Sequence, residues 1–342
     1  MPRQKEWSHL IKPLVIKEGP AGLYGEPRFW AEGKDWEGYG GNFSYGFFKG
    51  PAVCHPLEGA VSHPYDEILV FAGIDTSNIL NLGGEVSIEL GEEREEHVFT
   101  QPSVVCIPKG MPHGPATIRR VTGKAIAHYL FGLAPEYKAM VIPERSRPPK
   151  MTGEKYSRLV KQLKTYLSVE QRMAMAHVDV DKYYEKKPWL DSSKTGMGYE
   201  ALSDDSGVVH PKGRMGPGNA DQLVWLFGED IQNFELNFTW GFFNSAGKWH
   251  RHGEGHTHPE EEALIYVGLN PDDLNYLGAE VEMGMGPDFE RHYFSKPTAV
   301  IAPKGFIHLP CITRWVDDPY AFVVGCLSAV HDAPWVNPED LE

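Results

Sequence analysis

The chain carries one stretch of sequence twice. Shifting it by 195 residues lays Asn42–His113 on Asn237–His308 without a gap, and 25 of the 72 paired positions are identical. NFSYGFF at 42–48 faces NFTWGFF at 237–243, and PKGMPH at 108–113 faces PKGFIH at 303–308. A repeat of this length reads as two copies of one domain. The expected organisation is an N-terminal arm (1–19), a first barrel (20–140), a connector (141–214) and a second barrel (215–342).

Each copy is written in short runs of β-formers. In copy 1, Phe43–Phe48, Ile68–Phe71, Val86–Leu90, Val104–Ile107 and Ala125–Leu133 are separated by Gly, Pro, Asn and Asp. Short strands punctuated in this way predict an all-β sandwich or barrel. In the connector, Tyr156, Leu159, Val160, Leu163 and Leu167 recur at helical intervals and predict one amphipathic helix. The polar, Gly-rich stretch 181–219 reads as an ordered connector without firm secondary structure, or as a lid.

The most informative cluster lies in copy 2. In GHTHPEEEALIYVG, His256 and His258 project to one face of an extended segment, and Glu262 keeps their parity. His308 arrives from a distant strand after a Pro-x-Gly turn. Three imidazoles and one carboxylate suit a divalent transition metal. These two segments resemble the paired motifs of the cupin superfamily, H-x-H-x(3,4)-E-x(6)-G and P-x-G-x-x-H. With two copies, the whole chain resembles a bicupin. The resemblance implies two tandem antiparallel cupin barrels of the double-stranded β-helix, or jelly-roll, type with a helical connector. It also implies metal ligation by His256, His258, Glu262 and His308. The match departs from the family pattern in spacing: Glu262 is followed by five residues, not six, before Gly268.

Copy 1 keeps His63, Glu67 and His113 but has Val61 where copy 2 has His256. The first reading is a lost ligand and a structural barrel. The second is a two-His, one-carboxylate metal face, with His55 completing the shell. His55 and His250 coincide across the repeat, as do His97 and His292; the latter pair reads as structural. Trp240 and Phe242 share a strand face with Phe238, either as barrel core or as an aromatic pocket wall with His250 beside it.

Composition narrows the function. Lys and Arg number 33 against 47 Asp and Glu, a net charge of −14, which disfavours nucleic acid and anionic membranes as partners. Four scattered cysteines form no Cys-x-x-Cys pair, and no run of apolar residues is long enough to span a membrane. A cytoplasmic protein is therefore expected. No phosphate-loop or nucleophile-elbow motif occurs, so neither a nucleotide nor an organic cofactor is expected.

The expected cofactor is one divalent ion per chain (Fe, Mn, Ni or Zn), or two if copy 1 also binds. The resemblance admits several chemistries. The leading expectation is a dioxygenase-type oxidoreductase acting on a small oxygenated or aromatic acid or phenol. The alternatives are a redox-neutral isomerase, hydrolase or decarboxylase, or a metal-binding or small-molecule-binding protein without turnover. Strand edges that need cover suggest a homodimer.

Overall fold

The computed structural model describes residues 5–164, 200–203, 209–212, 220–248, 255–331, 333 and 336. The chain divides into two compact units: Leu14–Leu163 with Glu229–Phe234, and Met1–Pro13 with Lys164–Gly228 and Glu235–Glu342.

The first unit is an antiparallel barrel of two sheets. One sheet runs, in spatial order, Val160–Gln162, Ser103–Ile107, Glu67–Gly73, Ile126–Gly132, Asn42–Phe48, Arg28–Ala31 and Ile16–Lys17. The other runs Met140–Ile142, Ala60–Ser62, His113–Val121, Gly84–Leu90 and Glu95–Phe99, with Ala52–Cys54 also pairing His113–Val121. The central strands Glu67–Gly73 and Ile126–Gly132 are buried at every residue. That is why they read as unbroken apolar runs rather than as an alternation.

The second unit repeats the plan. Glu262–Gly268 lies between Thr298–Ala302 and Tyr320–Cys326, and Asn237–Phe243 follows. The opposing sheet holds His308–Val316, Ala279–Met285 and Glu290–Phe294. The interior is filled by Leu264, Tyr266, Met283, Met285, Phe322 and Val324, all at most 5 % exposed. The two-barrel jelly-roll architecture implied by the resemblance is present.

Two expectations for the connector need correction. Ser157–Leu159 is a single 3-10 turn and Val160–Gln162 is a strand, so no amphipathic α-helix forms through 156–163. Leu167 lies outside the described residues. Within 181–219, the described segments Glu200–Ser203 and Val209–Lys212 pair as antiparallel strands and extend the second unit's sheet that holds Glu262–Gly268.

The apolar pattern that suggested a helix belongs to an edge-strand cover. Val160–Gln162 pairs with Ser103–Val105 in the first unit, and Ile11–Pro13 pairs with Thr298–Val300 in the second. Both pairings close strand edges that would otherwise stay open. The two covers are themselves related in sequence: Trp7-Ser8-His9-Leu10-Ile11-Lys12 parallels Tyr156-Ser157-Arg158-Leu159-Val160-Lys161. Each seats an aromatic ring on a left-handed glycine. A Cβ at Gly286 (φ +73) would overlap the Trp7 indole, and one at Gly91 (φ +75) would overlap the Tyr156 ring. Leu10 and Leu159 are 2 % and 3 % exposed, so both covers are anchored in their cores.

Candidate metal centres

In the first barrel, His63 and Glu67 flank the entry to the strand Glu67–Gly73, and His113 opens the strand His113–Val121. Val61 occupies the backbone position of His256: it pairs with His113 as His256 pairs with His308. The missing imidazole arrives from another place. His55 sits just after the strand Ala52–Cys54, in the left-handed region at φ +50, a conformation that a non-glycine residue adopts only at a cost. Its carbonyl lies against Gly114 (φ +84), where a Cβ would collide with the His55 backbone. Glycine at 114 therefore lets His55 approach.

The donor atoms converge on one carboxylate oxygen. Glu67 Oε2 is 3.0 Å from His55 Nε2, 3.4 Å from His63 Nε2 and 3.3 Å from His113 Nε2. All four side chains are at most 2 % exposed.

The opposite ring nitrogens fix the tautomers. His63 Nδ1 donates to the Lys138 carbonyl at 2.7 Å, and His113 Nδ1 donates to the Met111 carbonyl at 3.0 Å. The third ring is set by a longer chain. His128 Nδ1 donates to the Val70 carbonyl (2.8 Å), which leaves its Nε2 to accept the Tyr24 hydroxyl proton (3.1 Å). The Tyr24 oxygen then accepts Nδ1–H of His55 (3.1 Å). All three Nε2 atoms thus present lone pairs to the same point, as metal-ligating histidines do when their other nitrogen is held by an acceptor.

Electrostatics agree with that assignment. Burial pulls the His55 pKa down to about 4, only partly offset by Glu67, so the ring is neutral at pH 7. Burial lowers His63 as well. For Glu67, burial pushes upward, but His63, His55 and His113 outweigh it and hold the carboxyl well below its ordinary range. His63 Nε2 and Glu67 Oε1 are buried without a hydrogen-bond partner. Leaving such atoms unpaired costs about 1–3 kcal/mol each, a cost that a bound cation removes. The donor set fits a divalent transition metal.

In the second barrel, Glu262 Oε2 is 3.0 Å from His308 Nε2 and 3.2 Å from His258 Nε2, and His308 Nδ1 faces the Phe306 carbonyl at 3.2 Å. The His256 ring stands 4.5 Å from both His258 and His308, centroid to centroid. One donor atom from each of these four residues falls within 4.8 Å of the others, and the same holds for the first barrel's four. Burial raises the Glu262 carboxyl, but His258 and His308 override it and hold it well below its ordinary range.

The remaining candidates fall elsewhere. His250 lies outside the described residues. Trp240 and Phe242 are fully buried, and they face away from the donors. In register, Asn237 and Phe243 stand opposite Cys326 and Tyr320 on the interior face, whereas Phe242 stands opposite Ala321 on the outer one. As pocket walls they are corrected to packing residues. His292 and His97 pair with Glu290 (2.7 Å) and Glu95 (2.8 Å), the structural role expected of them. Sequence reading missed Tyr24 and His128. The register equivalent of His128 in the second barrel is Phe322, paired with Gly241 as His128 is with Gly46, so comparing the copies position by position would have singled it out.

No family model matches this chain, and no curated protein matches it. Solved structures do. Bacillus subtilis oxalate decarboxylase at pH 4.6 is similar over 95% of this chain and 78% of its own, with 10% identity and a TM-score of 0.50. A structure concerned with the Mn(II) centres of the same enzyme gives 9% identity, 95% and 79% coverage and a TM-score of 0.50. A Trp→Phe variant gives 8%, with the same coverage and TM-score. At such identities the likeness is one of fold, and that fold is the bicupin. No helix among the described residues is long and apolar enough to cross a membrane.

Proposed function

We propose that this chain is a metal-dependent bicupin enzyme that cleaves a small organic acid without net oxidation, with decarboxylation as the leading chemistry. The observation that carries the reading is the first barrel's donor set: three Nε2 lone pairs and one carboxylate, each imidazole locked from behind, the carboxylate's ion-pair contacts among the described residues being those three rings. A divalent ion held there supplies Lewis acidity and a template for a substrate carboxylate.

The protein's own residues do the rest. His55, His63 and His113 stay oriented with Nε2 toward the ion, because Tyr24 and the Lys138 and Met111 carbonyls accept their Nδ1 protons. Glu67 stays ionised and offsets the charge of the ion. The near-complete burial of the donors limits access to small substrates and keeps bulk water from competing. Tyr65 and Tyr137 pack against His63, at 5.2 and 5.0 Å between centroids, and make the wall beside the donors apolar.

Decarboxylation is preferred to the dioxygenase reading for two reasons. The aromatic strand residues that suggested an aromatic substrate face away from the donors. Solved structures of like fold include those of an oxalate decarboxylase. The test is a panel of small mono- and dicarboxylates, oxalate included, offered to protein loaded with Mn, Fe, Co or Zn, with carbon dioxide release and dioxygen uptake both followed. Carbon dioxide release without stoichiometric oxygen uptake, abolished in His113→Ala, is expected. Stoichiometric oxygen uptake would return the dioxygenase reading, and stoichiometric metal with no turnover of any acid would favour a binding protein.

A further inference from the structure

Two positions beside the donors differ so as to give the second barrel metal-binding atoms that the first lacks. After residue 319 the repeat offset falls from 195 to 194. Ile126 pairs with Gly73 as Tyr320 pairs with Gly268, and Gly132 pairs with Glu67 as Cys326 pairs with Glu262. The loops that follow keep the same frame. Asn42 Nδ2 donates to the Ala134 carbonyl as Asn237 Nδ2 donates to that of Ser328, both at 2.9 Å. Leu133 N donates to the Asp66 carbonyl as Leu327 N donates to that of Glu261. Cys326 therefore replaces Gly132, and His331 replaces Tyr137.

Both substitutions put a metal-binding atom next to the second barrel's donors. Tyr137 sits edge-on to Trp30 and to His63; His331 sits edge-on to Trp225 at 4.7 Å and against His258 at 4.6 Å. Cys326 stands directly opposite Glu262 in the sheet, on the interior face. In the first barrel the position is Gly132, where a Cβ would press on the Asn42 amide as it now stands. One donor atom from each of His258, Glu262, Cys326 and His331 lies within 4.8 Å of the others. His331 is 7 % exposed, and its Nδ1 is buried without a hydrogen-bond partner. Glycine and tyrosine keep the first barrel free of such a set.

We propose that the second barrel holds its ion in either of two overlapping donor sets, and that a thiophilic divalent ion such as Zn(II) or Co(II) takes the one made by His258, Glu262, Cys326 and His331. The sets share His258 and Glu262, so they serve one ion at a time. Thiolate is the softest donor a protein offers and selects for such ions, whereas the set of three imidazoles and one carboxylate suits harder ones. On coordination the Cys326 thiol gives its proton to solvent and binds as thiolate. The two barrels of one chain would then prefer different metals. The inference rests on the second barrel binding an ion at all.

Titration of the metal-free full-length protein with Co(II), followed by near-ultraviolet absorption and by bound cobalt per chain, tests it. A thiolate-to-cobalt charge-transfer band is expected in the wild type, lost in Cys326→Ser and retained in Cys54→Ser and Cys311→Ser. In His331→Asn, cobalt affinity in the second barrel should fall at least tenfold. Cobalt bound with no charge-transfer band, or a band that survives Cys326→Ser, overturns the thiolate set while leaving the metal centres standing. No cobalt bound overturns both. The band is read in the wild type, so the test does not depend on any variant folding.

Discussion

The Nε2 atoms of His55 and His113 stand 3.2 Å apart, both carrying lone pairs toward the same carboxylate oxygen. Two Nε2 lone pairs cannot satisfy each other in this arrangement, whereas a cation between them would satisfy both. His55 thus brings to the first barrel's donors a third imidazole, as His256 does in the second, from a different point on the chain. His55→Ala should lower metal affinity in the first barrel by about 100-fold or more, beyond the 10–100-fold typical of losing an outer partner. Adding Val61→His to that variant should restore much of it, because Val61 shares the backbone position of His256. Calorimetric metal titration checks both; a double variant no better than His55→Ala contradicts the equivalence.

Tyr24 acts through His55. Tyr24→Phe removes the oxygen that accepts Nδ1–H of His55 and the proton that reaches His128. Metal affinity of the first barrel should fall about 10–100-fold, while that of the second barrel is unchanged. Equal loss in both barrels, or in neither, contradicts the relay.

Burial, reinforced by Arg28, holds the His128 pKa well below its ordinary 6.5. Below pH 6.5 the unfolded chain takes up a proton at this residue that the folded chain refuses. Stability from this residue is therefore complete above pH 6.5 and is lost as the pH falls below it. His55, with its pKa near 4, adds to the same slope. Thermal unfolding of the metal-free protein between pH 7 and pH 5 should show Tm falling with pH, less steeply in His128→Asn, whose amide nitrogen can still donate to Val70. An unchanged slope in the variant contradicts the assignment.

The arm residues are structural. Trp7 packs on Gly286 and lies edge-on to Phe306 at 5.0 Å. Trp7→Ala should destabilise the second unit by about 1–3 kcal/mol, read by denaturant unfolding. Gly286→Val should also destabilise it, through the indole clash and the positive φ. A change below about 0.5 kcal/mol, the range of ordinary surface substitutions, would show that the arm is not anchored there.

Much of this was legible in the sequence, for identifiable reasons. The buried strands Glu67–Gly73 and Ser103–Ile107 are apolar runs bounded by turn residues, so they read directly. The strand His113–Val121 was not read as one, because Gly114 and Pro115 near its start resemble a turn. The covers at 11–13 and 160–162 are three-residue strands, too short to show a period of two, and Leu159 and Leu163 imitate a helix only because a 3-10 turn precedes the strand. In the second barrel, three of the four donors, His256, His258 and Glu262, stand within one short motif, and His308 closes a second. The first barrel's donor set depends on His55 reaching across a turn, on Gly114 making room and on Tyr24 bonding from 31 residues away, and those are contacts of the folded chain, not of the text.

Elemental analysis of protein purified without added metal bears most directly on whether these barrels are metal centres. Two divalent transition ions per chain are predicted, falling to one in either His113→Ala or His258→Ala, the latter shared by both donor sets of the second barrel, and to none in the double variant. A wild-type protein that stays metal-free, even after incubation with excess Mn(II), Fe(II), Co(II) and Zn(II), would contradict the account.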